Sequence, residues 1–419
     1  MRFLVIGNGG REHAIIDVLQ KNQANEIHCI PGIDAIQTIT NHQLDITDFP
    51  ELANYAITHS IDYTIVGPEA PLVNGIVDFF RTKKLAIFGP DKAAAQIEAS
   101  KAFSKEFMER YHIPTASYKR FTNYDDAVSY IENTDTFPIV IKASGLAAGK
   151  GVVIPNSRAE AKTELAEMML DKKFGDAADE IVIESFLEGE EASVFAVCDG
   201  KNYLLLSPAQ DHKRIGEGDT GKNTGGMGAY APAPVVTDRV MKRVESDILV
   251  PFLKGMQNDG HPYTGVLFIG LMIKNDAPSV VEFNCRFGDP ETQVVLPLLE
   301  TELAEIIQAC CCGQLNEVKL RHSNKSAMTV VIASGGYPDD YKKGLVISGL
   351  DQLKGVEIRY AGTRIENGHL LSNGGRVLNL IAIEDSFEQC AEKIYSQIDL
   401  IRMQDKYYRH DIGHRVLKH

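Results

Sequence analysis

The sequence of 419 residues contains no tryptophan and no long apolar run. None of its hydrophobic stretches approaches the ~18 residues that a membrane-spanning helix needs. The first ten residues, MRFLVIGNGG, become glycine-rich after a short apolar stretch, which is too early for a signal peptide. We therefore expect a cytoplasmic protein with no membrane partner.

Positive charge is scarce as well. The chain has 43 Lys and Arg residues against 57 Asp and Glu residues, which gives a net charge of −14. Nucleic-acid binding requires clustered Lys and Arg side chains that neutralise phosphates. Nucleic acid is therefore excluded as a general partner, although a local basic pocket for a small anion is compatible with this composition.

Cysteine motifs are missing too. The seven cysteines are odd in number, form no CxxC pair, and include the consecutive residues Cys310, Cys311 and Cys312. This spacing suits neither a disulfide framework nor a zinc site. We expect reduced and mostly buried thiols, including Cys285, for which packing is a better interpretation than nucleophilic catalysis.

The length of the chain predicts several domains, because single hydrophobic cores stop growing at roughly 250–300 residues. The first hundred residues alternate strand-like segments such as RFLVIG and EIHCI with helix-like segments such as REHAIIDVLQ. DYTIVG and LAIFG are two further strand candidates. This alternation predicts a parallel α/β domain.

The first turn of this domain, GNGGREH, resembles a dinucleotide-binding fingerprint but has Glu12 at the third glycine position. The acid that would hold a ribose at the end of the second strand is also missing, so NAD is not expected. A glycine-rich turn at a helix N-terminus has free N–H groups that suit a phosphate; a tight turn without a ligand is the alternative. Since ligands bind beyond the carboxyl ends of strands, we expect Glu69 and the loop 7–11 to line one crevice.

The segment GLAAGKGVVIP departs from the Walker pattern in its spacing and is followed by a strand rather than a helix. It predicts a glycine-rich hairpin whose N–H groups and Lys150 cover a triphosphate and which moves as a lid. A flexible β-turn with a solvated lysine is the alternative. The flanking patterns predict strands in SYKRFT and FPIVIKAS, and a helix that Asn123 caps.

Two further segments carry polar groups behind apolar strands. IVIESFL passes into an acidic turn, where Glu190 or Glu191 is available for ribose hydroxyls; a solvated turn is the alternative. The glycine-rich stretch 207–230 predicts one long loop, and long loops inside compact domains are usually functional or disordered. Because apolar segments flank this loop, we expect it to be functional.

The stretch VEFNCRFGDPETQ combines an acid, an amide and a base behind an apolar run. Strand alternation places Glu282 and Asn284 on one face, and Val281 and Phe283 on the core-facing side. An acid and an amide spaced in this way suit Mg²⁺, which proteins bind through one or two carboxylates together with phosphates and water. A half-exposed antiparallel strand is the alternative interpretation.

A series of motifs, taken in order, resembles the phosphoribosylamine–glycine ligase family, also called glycinamide ribonucleotide synthetases, of the ATP-grasp superfamily. The motifs are GNGGREH, GPEAPL, LAAGKGV, LEGEEAS, AQDHKR, NTGGMGAY, EFNCRFGDPETQ and NGGRV. Together with the strand and helix patterns, the resemblance predicts a multidomain α/β and α+β protein. We expect an N-terminal parallel α/β domain at 1–100, an ATP-grasp domain at 101–325 with a lid subdomain at about 117–192, and a small C-terminal α+β cap at 326–419.

The resemblance also implies three sets of site residues. ATP would contact Lys101, Lys142, Gly149, Lys150, Gly151, Glu184, Phe186, Leu187 and Glu191. Mg²⁺ or Mn²⁺ would be bound by Glu282 and Asn284, with Gly270 at the place where many ATP-grasp enzymes carry another acid. The substrates would contact Gly9, Gly10, Arg11, Glu69, Asp211, Asp289 and Arg376.

The implied reaction joins glycine to 5-phosphoribosylamine and gives glycinamide ribonucleotide, ADP and phosphate through glycyl phosphate, in de novo purine biosynthesis. Lys142, Lys150 and Arg286 would neutralise charge during phosphoryl transfer, and Asp289 would orient the amine. The alternatives are a sister ATP-grasp ligase of purine synthesis, a nucleotide-dependent oxidoreductase and a noncatalytic ATP-binding regulator. The expected partners are the two small substrates; the sequence leaves the oligomeric state open, with a monomer as one expectation.

Overall fold

A computed structural model describes residues 1–147 and 151–417. The N-terminal unit contains, in chain order, β1 (Arg2–Ile6), α1 (Gly10–Gln20), β2 (Glu26–Ile30), β3 (Thr40–Asn41), α2 (Phe49–Thr58), β4 (Tyr63–Val66), α3 (Glu69–Asn74), α4 (Ile76–Thr82), β5 (Ile87–Phe88) and α5 (Gln96–Ala99), and α6 (Lys101–Arg110) follows it. Its five strands form a sheet in the order β3-β2-β1-β4-β5. All four pairings are parallel, which confirms the predicted α/β architecture.

Strand β1 lies at the centre of this sheet. Its last four residues are fully buried, because helices cover both faces of a parallel sheet and every side chain of a central strand then faces a core. The uninterrupted apolar run FLVI follows from that environment. The final strand is shorter than the pattern LAIFG indicates, since only Ile87 and Phe88 pair with β4.

A second unit covers the segment for which a lid subdomain is predicted, and it is called the lid below. It contains β6 (Tyr118–Phe121), α7 (Tyr124–Glu132), β7 (Ile139–Ala143), β8 (Val152–Val153), α8 (Arg158–Met169) and β9 (Ile181–Ser185). The antiparallel sheet has the order β6-β9-β7-β8 and a small core of its own. The side chain of Asn123 accepts hydrogen bonds from two backbone N–H groups at the start of α7, which confirms the predicted cap. The predicted nucleotide contacts Gly149 and Lys150 lie outside the described residues.

The central unit follows. It contains β10 (Glu190–Asp199), β11 (Tyr203–Leu205), β12 (Gln210–Asp211), β13 (Arg214–Gly216), β14 (Thr220–Asn223), β15 (Gly228–Ala231), α9 (Asp238–Arg243), a π-helical stretch (Val244–Leu249), α10 (Val250–Asn258), β16 (Thr264–Lys274), β17 (Ala277–Asn284), α11 (Thr292–Val295) and α12 (Leu303–Cys312). Strands β11, β10, β16 and β17 form an antiparallel sheet in that order. The stretch 207–230 is therefore not one irregular loop, because short strands run through it.

Strand β17 carries a β-bulge. Gly270 of β16 pairs with Glu282 and Leu271 pairs with Val280, so Val281 is the extra residue. A bulge resets the alternation of side chains. The prediction that Val281 shares the core face with Phe283 is therefore wrong: Val280 and Phe283 are buried, whereas Val281 is half-buried beside a cavity.

The C-terminal unit contains β18 (Ser326–Ser334), β19 (Glu357–Tyr360), β20 (Thr363–Glu366), β21 (His369–Ser372), β22 (Arg376–Glu384), α13 (Phe387–Ile398) and β23 (Lys406–Tyr407). Its main sheet has the order β12-β15-β18-β22-β19, with β23 paired to β18. Two strands of this sheet thus come from the central unit. Within the described residues, no helix combines the length and apolar content required to cross a membrane.

Candidate active site

A cavity of about 590 Å³ lies between the lid, the central unit and the N-terminal unit. Most predicted site residues line it, namely Glu69, Lys101, Lys142, Gly151, Glu184, Phe186, Leu187, Glu191, Asp211, Glu282, Asn284, Arg286 and Asp289. Gly9 and Arg376 adjoin it through Asp289. The fold therefore gathers residues that are more than 200 positions apart in the sequence around one space.

A buried ion triad lies at the lid end of the cavity. The carboxylate of Glu184 lies 2.9 Å from both Lys105 Nζ and Lys142 Nζ. Lys105 also donates to Thr115 Oγ1 at 2.8 Å, and burial lowers its pKa to about 8. The sequence analysis missed Lys105, although its spacing of four residues from Lys101 places both lysines on one face of α6. Because Glu184 is engaged by two ammonium groups, its contact with adenine stays a prediction.

Glu282 faces the same cavity with an ionised carboxylate. Burial would raise its pKa, but the charges of Lys213, Lys142 and Lys101 outweigh burial and lower the pKa. Gly270 lies directly opposite, where a Cβ atom would come within 3.2 Å of Glu282 Cγ. The preceding strand β16 therefore has glycine, and not a second acid, opposite Glu282, as expected from the sequence.

Asn284 is the second predicted metal ligand. With its amide nitrogen turned toward Glu98, it donates hydrogen bonds to Phe283 O and Glu98 Oε1, both at 3.2 Å, so the amide oxygen is not used in these bonds. Among residues 1–147 and 151–417, no group of three or more His, Cys, Asp or Glu side chains could hold a metal ion. One ionised carboxylate and one amide oxygen nevertheless fit Mg²⁺ or Mn²⁺, if phosphate oxygens and water complete the coordination shell.

Arg286 is held between two carboxylates. Its Nε lies 3.3 Å from Glu69 Oε2 and its Nη2 lies 2.8 Å from Glu98 Oε1. Burial would lower the pKa of Arg286, but Glu98 and Glu69 outweigh that effect and raise it. Glu98, which the sequence analysis missed, also accepts a hydrogen bond from the backbone of Cys285. Cys285 is buried in the core, as predicted.

Asp289 lies where the three main units meet. Gln293 Nε2 donates to its Oδ1 at 2.8 Å, and Arg376 Nη1 lies 3.4 Å from the same oxygen. Burial would raise the pKa of Asp289, but Arg376 and Arg11 lower it, so the group is an anion at neutral pH. Arg376 also donates to the carbonyl oxygens of Gly225 and Asp289, at 2.7 and 2.8 Å. Its predicted contact with a substrate phosphate is untested.

Glu12 occupies the glycine-rich turn of the N-terminal unit. Its carboxylate accepts hydrogen bonds from Gly9 N and Arg11 Nε, both at 2.6 Å. A Cβ atom at Gly67 would overlap the same carboxylate, so this close approach requires glycine. The expectation that the turn has free N–H groups is wrong for Gly9, because Glu12 forms a capping box with it.

Lys213 is another cavity residue that the sequence analysis missed. Its Nζ lies 2.9 Å from Glu191 Oε2, the predicted ribose ligand. Burial would lower the pKa of Lys213, but Glu191, Asp211 and Glu282 raise it well above its ordinary value. The motif AQDHKR contains this lysine, so its presence near the site had a signal in the sequence.

The C-terminal segment 409–415 braces the stretch that carries Asp211 and Lys213. Arg409 is fully buried and lies 2.9 Å from Asp219 Oδ1. Arg415 donates to Asp219 Oδ2 at 2.7 Å and to the carbonyl oxygen of Asp211 at 3.1 Å. No local pattern in the sequence predicts these contacts, since their partners are about 200 residues apart.

Known proteins are similar to this chain over its whole length. Three domain profiles of phosphoribosylglycinamide synthetase match the chain: the N domain at residues 1–98, the ATP-grasp (A) domain at 99–292 and the C domain at 327–415. A phosphoribosylamine–glycine ligase of Chlorobaculum tepidum is 48% identical over 425 residues, with 100% of each chain covered.

Two further relatives are a longer bifunctional protein and a solved structure of lower sequence identity. The bifunctional purine biosynthetic protein PUR2,5 of Pichia angusta is 46% identical over 99% of this chain, which spans 54% of that longer protein. The crystal structure of a phosphoribosylamine–glycine ligase from Thermotoga maritima superposes with a TM-score of 0.86 at 31% identity. That superposition covers 98% of this chain and 100% of the other.

Proposed function

Since the chain belongs to the phosphoribosylglycinamide synthetase family, we propose that it joins glycine to 5-phosphoribosylamine, with conversion of ATP to ADP and phosphate. The product is glycinamide ribonucleotide, and the pathway is purine biosynthesis. One observation carries the proposal: a single cavity combines a lysine-rich end at the lid with Glu282, Asn284 and the anionic Asp289. Such a cavity suits a ligase that must bring a triphosphate, a carboxylate and an amine together.

The chemistry proceeds in two steps. A carboxylate is a poor acyl donor, so one carboxylate oxygen of glycine first attacks the γ-phosphorus of ATP, which forms glycyl phosphate and releases ADP. The amine of phosphoribosylamine then attacks the carbonyl carbon, and the C–N bond forms as phosphate leaves. The nitrogen loses one proton in this second step.

Phosphoryl transfer depends mainly on alignment and on neutralisation of charge. Lys101, Lys142 and Lys213 line the cavity and provide positive charge for the phosphates; Lys150 has the same role in this proposal but lies outside the described residues. Glu282 and Asn284 would hold Mg²⁺ or Mn²⁺, which supplies further charge neutralisation when bound.

Asp289 orients the attacking amine in this proposal. Its support is the ionised carboxylate, which Arg376 and Gln293 hold in place from different elements. Gly10 and Arg11 bind the ribose phosphate together with Arg376 in this proposal, whereas Glu12 already engages the N–H group of Gly9. We also propose domain boundaries after residues 100 and 325.

The test measures phosphate release from ATP with glycine and freshly generated phosphoribosylamine, each omitted in turn. The proposal predicts release only when both are present. Release that depends on formate or bicarbonate in place of glycine would contradict it and would favour a sister ATP-grasp ligase. An NADH fluorescence titration without any change is expected in the same preparation.

A further inference from the structure

Two buried acids of the central unit line the cavity. Asp211, in β12, is 6% exposed, and Glu291, at the start of α11, is 3% exposed; both line the cavity. Within the described part of the chain, the carboxylate of Asp211 has no side-chain hydrogen bond and no ion-pair partner. Glu291 Oε1 accepts one hydrogen bond, from Ser193 Oγ at 3.3 Å.

The turn before α11 is shaped around the carboxylate of Glu291. A Cβ atom at Gly288 would overlap Glu291 Oε2, so only glycine allows the carboxylate to lie there. Thr292 Oγ1 donates to the carbonyl oxygen of Gly288 and fixes the same turn. Glycine at position 288 therefore leaves room for the Glu291 carboxylate beside this turn.

The protein does not neutralise these two acids. Burial raises the pKa of both carboxyls, and the charge of Asp211 contributes to raising the pKa of Glu291 to about 7. The cations that face the pair are Lys213, Arg286 and Arg415, with Glu191 as a further anion. Each of these cations already has an acidic partner: Lys213 has Glu191, Arg286 has Glu69 and Glu98, and Arg415 has Asp219. The pair therefore lacks a cation of its own.

We propose that Asp211, Glu291 and the hydroxyl group of Ser193 form the subsite that binds the α-ammonium group of glycine. This inference rests on the function proposed above and names the part of the site that recognises the amino acid. An ammonium group supplies one positive charge and three N–H donors to two carboxylates and a hydroxyl oxygen. Lys213 also lines the cavity, where it can face the carboxylate of the zwitterion.

Such a subsite also determines which amine reacts. Glycine and phosphoribosylamine both carry an amino group that could attack glycyl phosphate. An ammonium group that two carboxylates hold in its protonated form has no lone pair and cannot attack. The subsite therefore prevents condensation of glycine with itself, and the neutral ribosyl amine beside Asp289 remains the only nucleophile.

The first test compares Asp211→Asn and Glu291→Gln with the control Glu188→Gln. Glu188 is an exposed acid whose ion-pair partner is Lys274 on the surface. The KM for glycine should rise roughly 10- to 100-fold in the two subsite variants, as expected for one charge-assisted hydrogen bond. The KM values for ATP and phosphoribosylamine, and all constants of the control, should stay within about twofold, which is the scatter of uncoupled surface substitutions.

The second test measures proton exchange on binding. Calorimetric titration of the wild-type protein with glycine at pH 7, in buffers of different ionisation enthalpy, should show proton release, because the ammonium group replaces a proton held by the acid pair. Glu291→Gln should release less, and acetate, which lacks the ammonium group, should cause no release from the wild type.

The outcomes separate the two proposals. A rise in the KM for phosphoribosylamine with an unchanged KM for glycine would overturn the inference and assign the pair to the other amine. Unchanged KM values for both, or glycine binding without proton release, would also overturn it. If the wild type released no phosphate with both substrates, the proposed function would fail, while the calorimetric arm would still decide whether the acid pair binds glycine.

Discussion

Replacing Glu291 by glutamine should make the protein more stable at pH 8 and change its stability much less at pH 4. Burial raises the pKa of this carboxyl from 4.5 to about 7 in the folded state. Between these two values the folded chain holds a proton that the unfolded chain releases, so the wild type loses stability as the pH rises through this interval. At 1.36 kcal/mol for each pH unit, the interval corresponds to about 3 kcal/mol. Glutamine stays neutral at every pH and keeps an oxygen that accepts from Ser193.

The assay is denaturant unfolding at pH 4, 6 and 8, followed by circular dichroism because the chain has no tryptophan. The difference in stability between variant and wild type should grow with pH up to about 7 and then level off, as the wild-type carboxyl becomes fully ionised in both states. Glu188→Gln is the matched control, with no comparable trend. A variant that is equally or less stable than the wild type at pH 8 would refute the reasoning.

The remaining predictions concern the cavity and its braces. Glu282→Gln should lower activity, and high Mg²⁺ should restore part of it, because binding is linked to metal concentration. Asp289→Asn should keep the wild-type metal dependence and raise the KM for the amine. Identical Mg²⁺ and amine titrations of the two variants would contradict this division. Lys105→Met should destabilise the protein by roughly 3–5 kcal/mol, since it breaks a buried ion pair, and the additional change Glu184→Gln should restore part of that loss in thermal unfolding. Arg409→Met should speed amide exchange in residues 214–223 and lower kcat/KM roughly tenfold, the effect of about 1.4 kcal/mol; unchanged exchange would show that the brace does not order this stretch.

Local patterns in the sequence predicted the elements that are determined by burial along one strand or by contacts within one helical turn. Strand β1 is buried on both faces, so its apolar run identifies it, and the cap at Asn123 depends only on neighbours within one turn. These two features depend on side chains that are close in the sequence. The motifs also named most of the residues that line the cavity, although the fold brings those residues together from distant segments.

The missed features depend on contacts between distant segments. The bulge at Val281 depends on how β17 pairs with β16. A strict alternation of side chains along β17 cannot predict an extra residue. In the sequence, Lys105 is one of several charged residues in α6, and nothing nearby indicates that it is buried. Its burial is explained by its ion pair with Glu184, which is distant in the sequence. The strands within 207–230 are two to four residues long, too short to show alternation, and one of them, β15, pairs with β18 about 100 residues further along the chain. In each case the deciding partner lies elsewhere in the chain.

The sharing of one sheet between the central and C-terminal units has a consequence for the order in which the protein is made. Asp219 must wait for Arg409, which is 190 residues further along the chain. At about 5–20 residues per second, a ribosome needs roughly 10–40 s to add that length. At the start of this interval the sheets of the lid and the N-terminal unit already have all their strands, whereas β15 has no partner until β18 has been made. The contacts that hold the segment around Asp219 therefore form last. A nascent chain halted before residue 409 should bind nucleotide without completing the reaction.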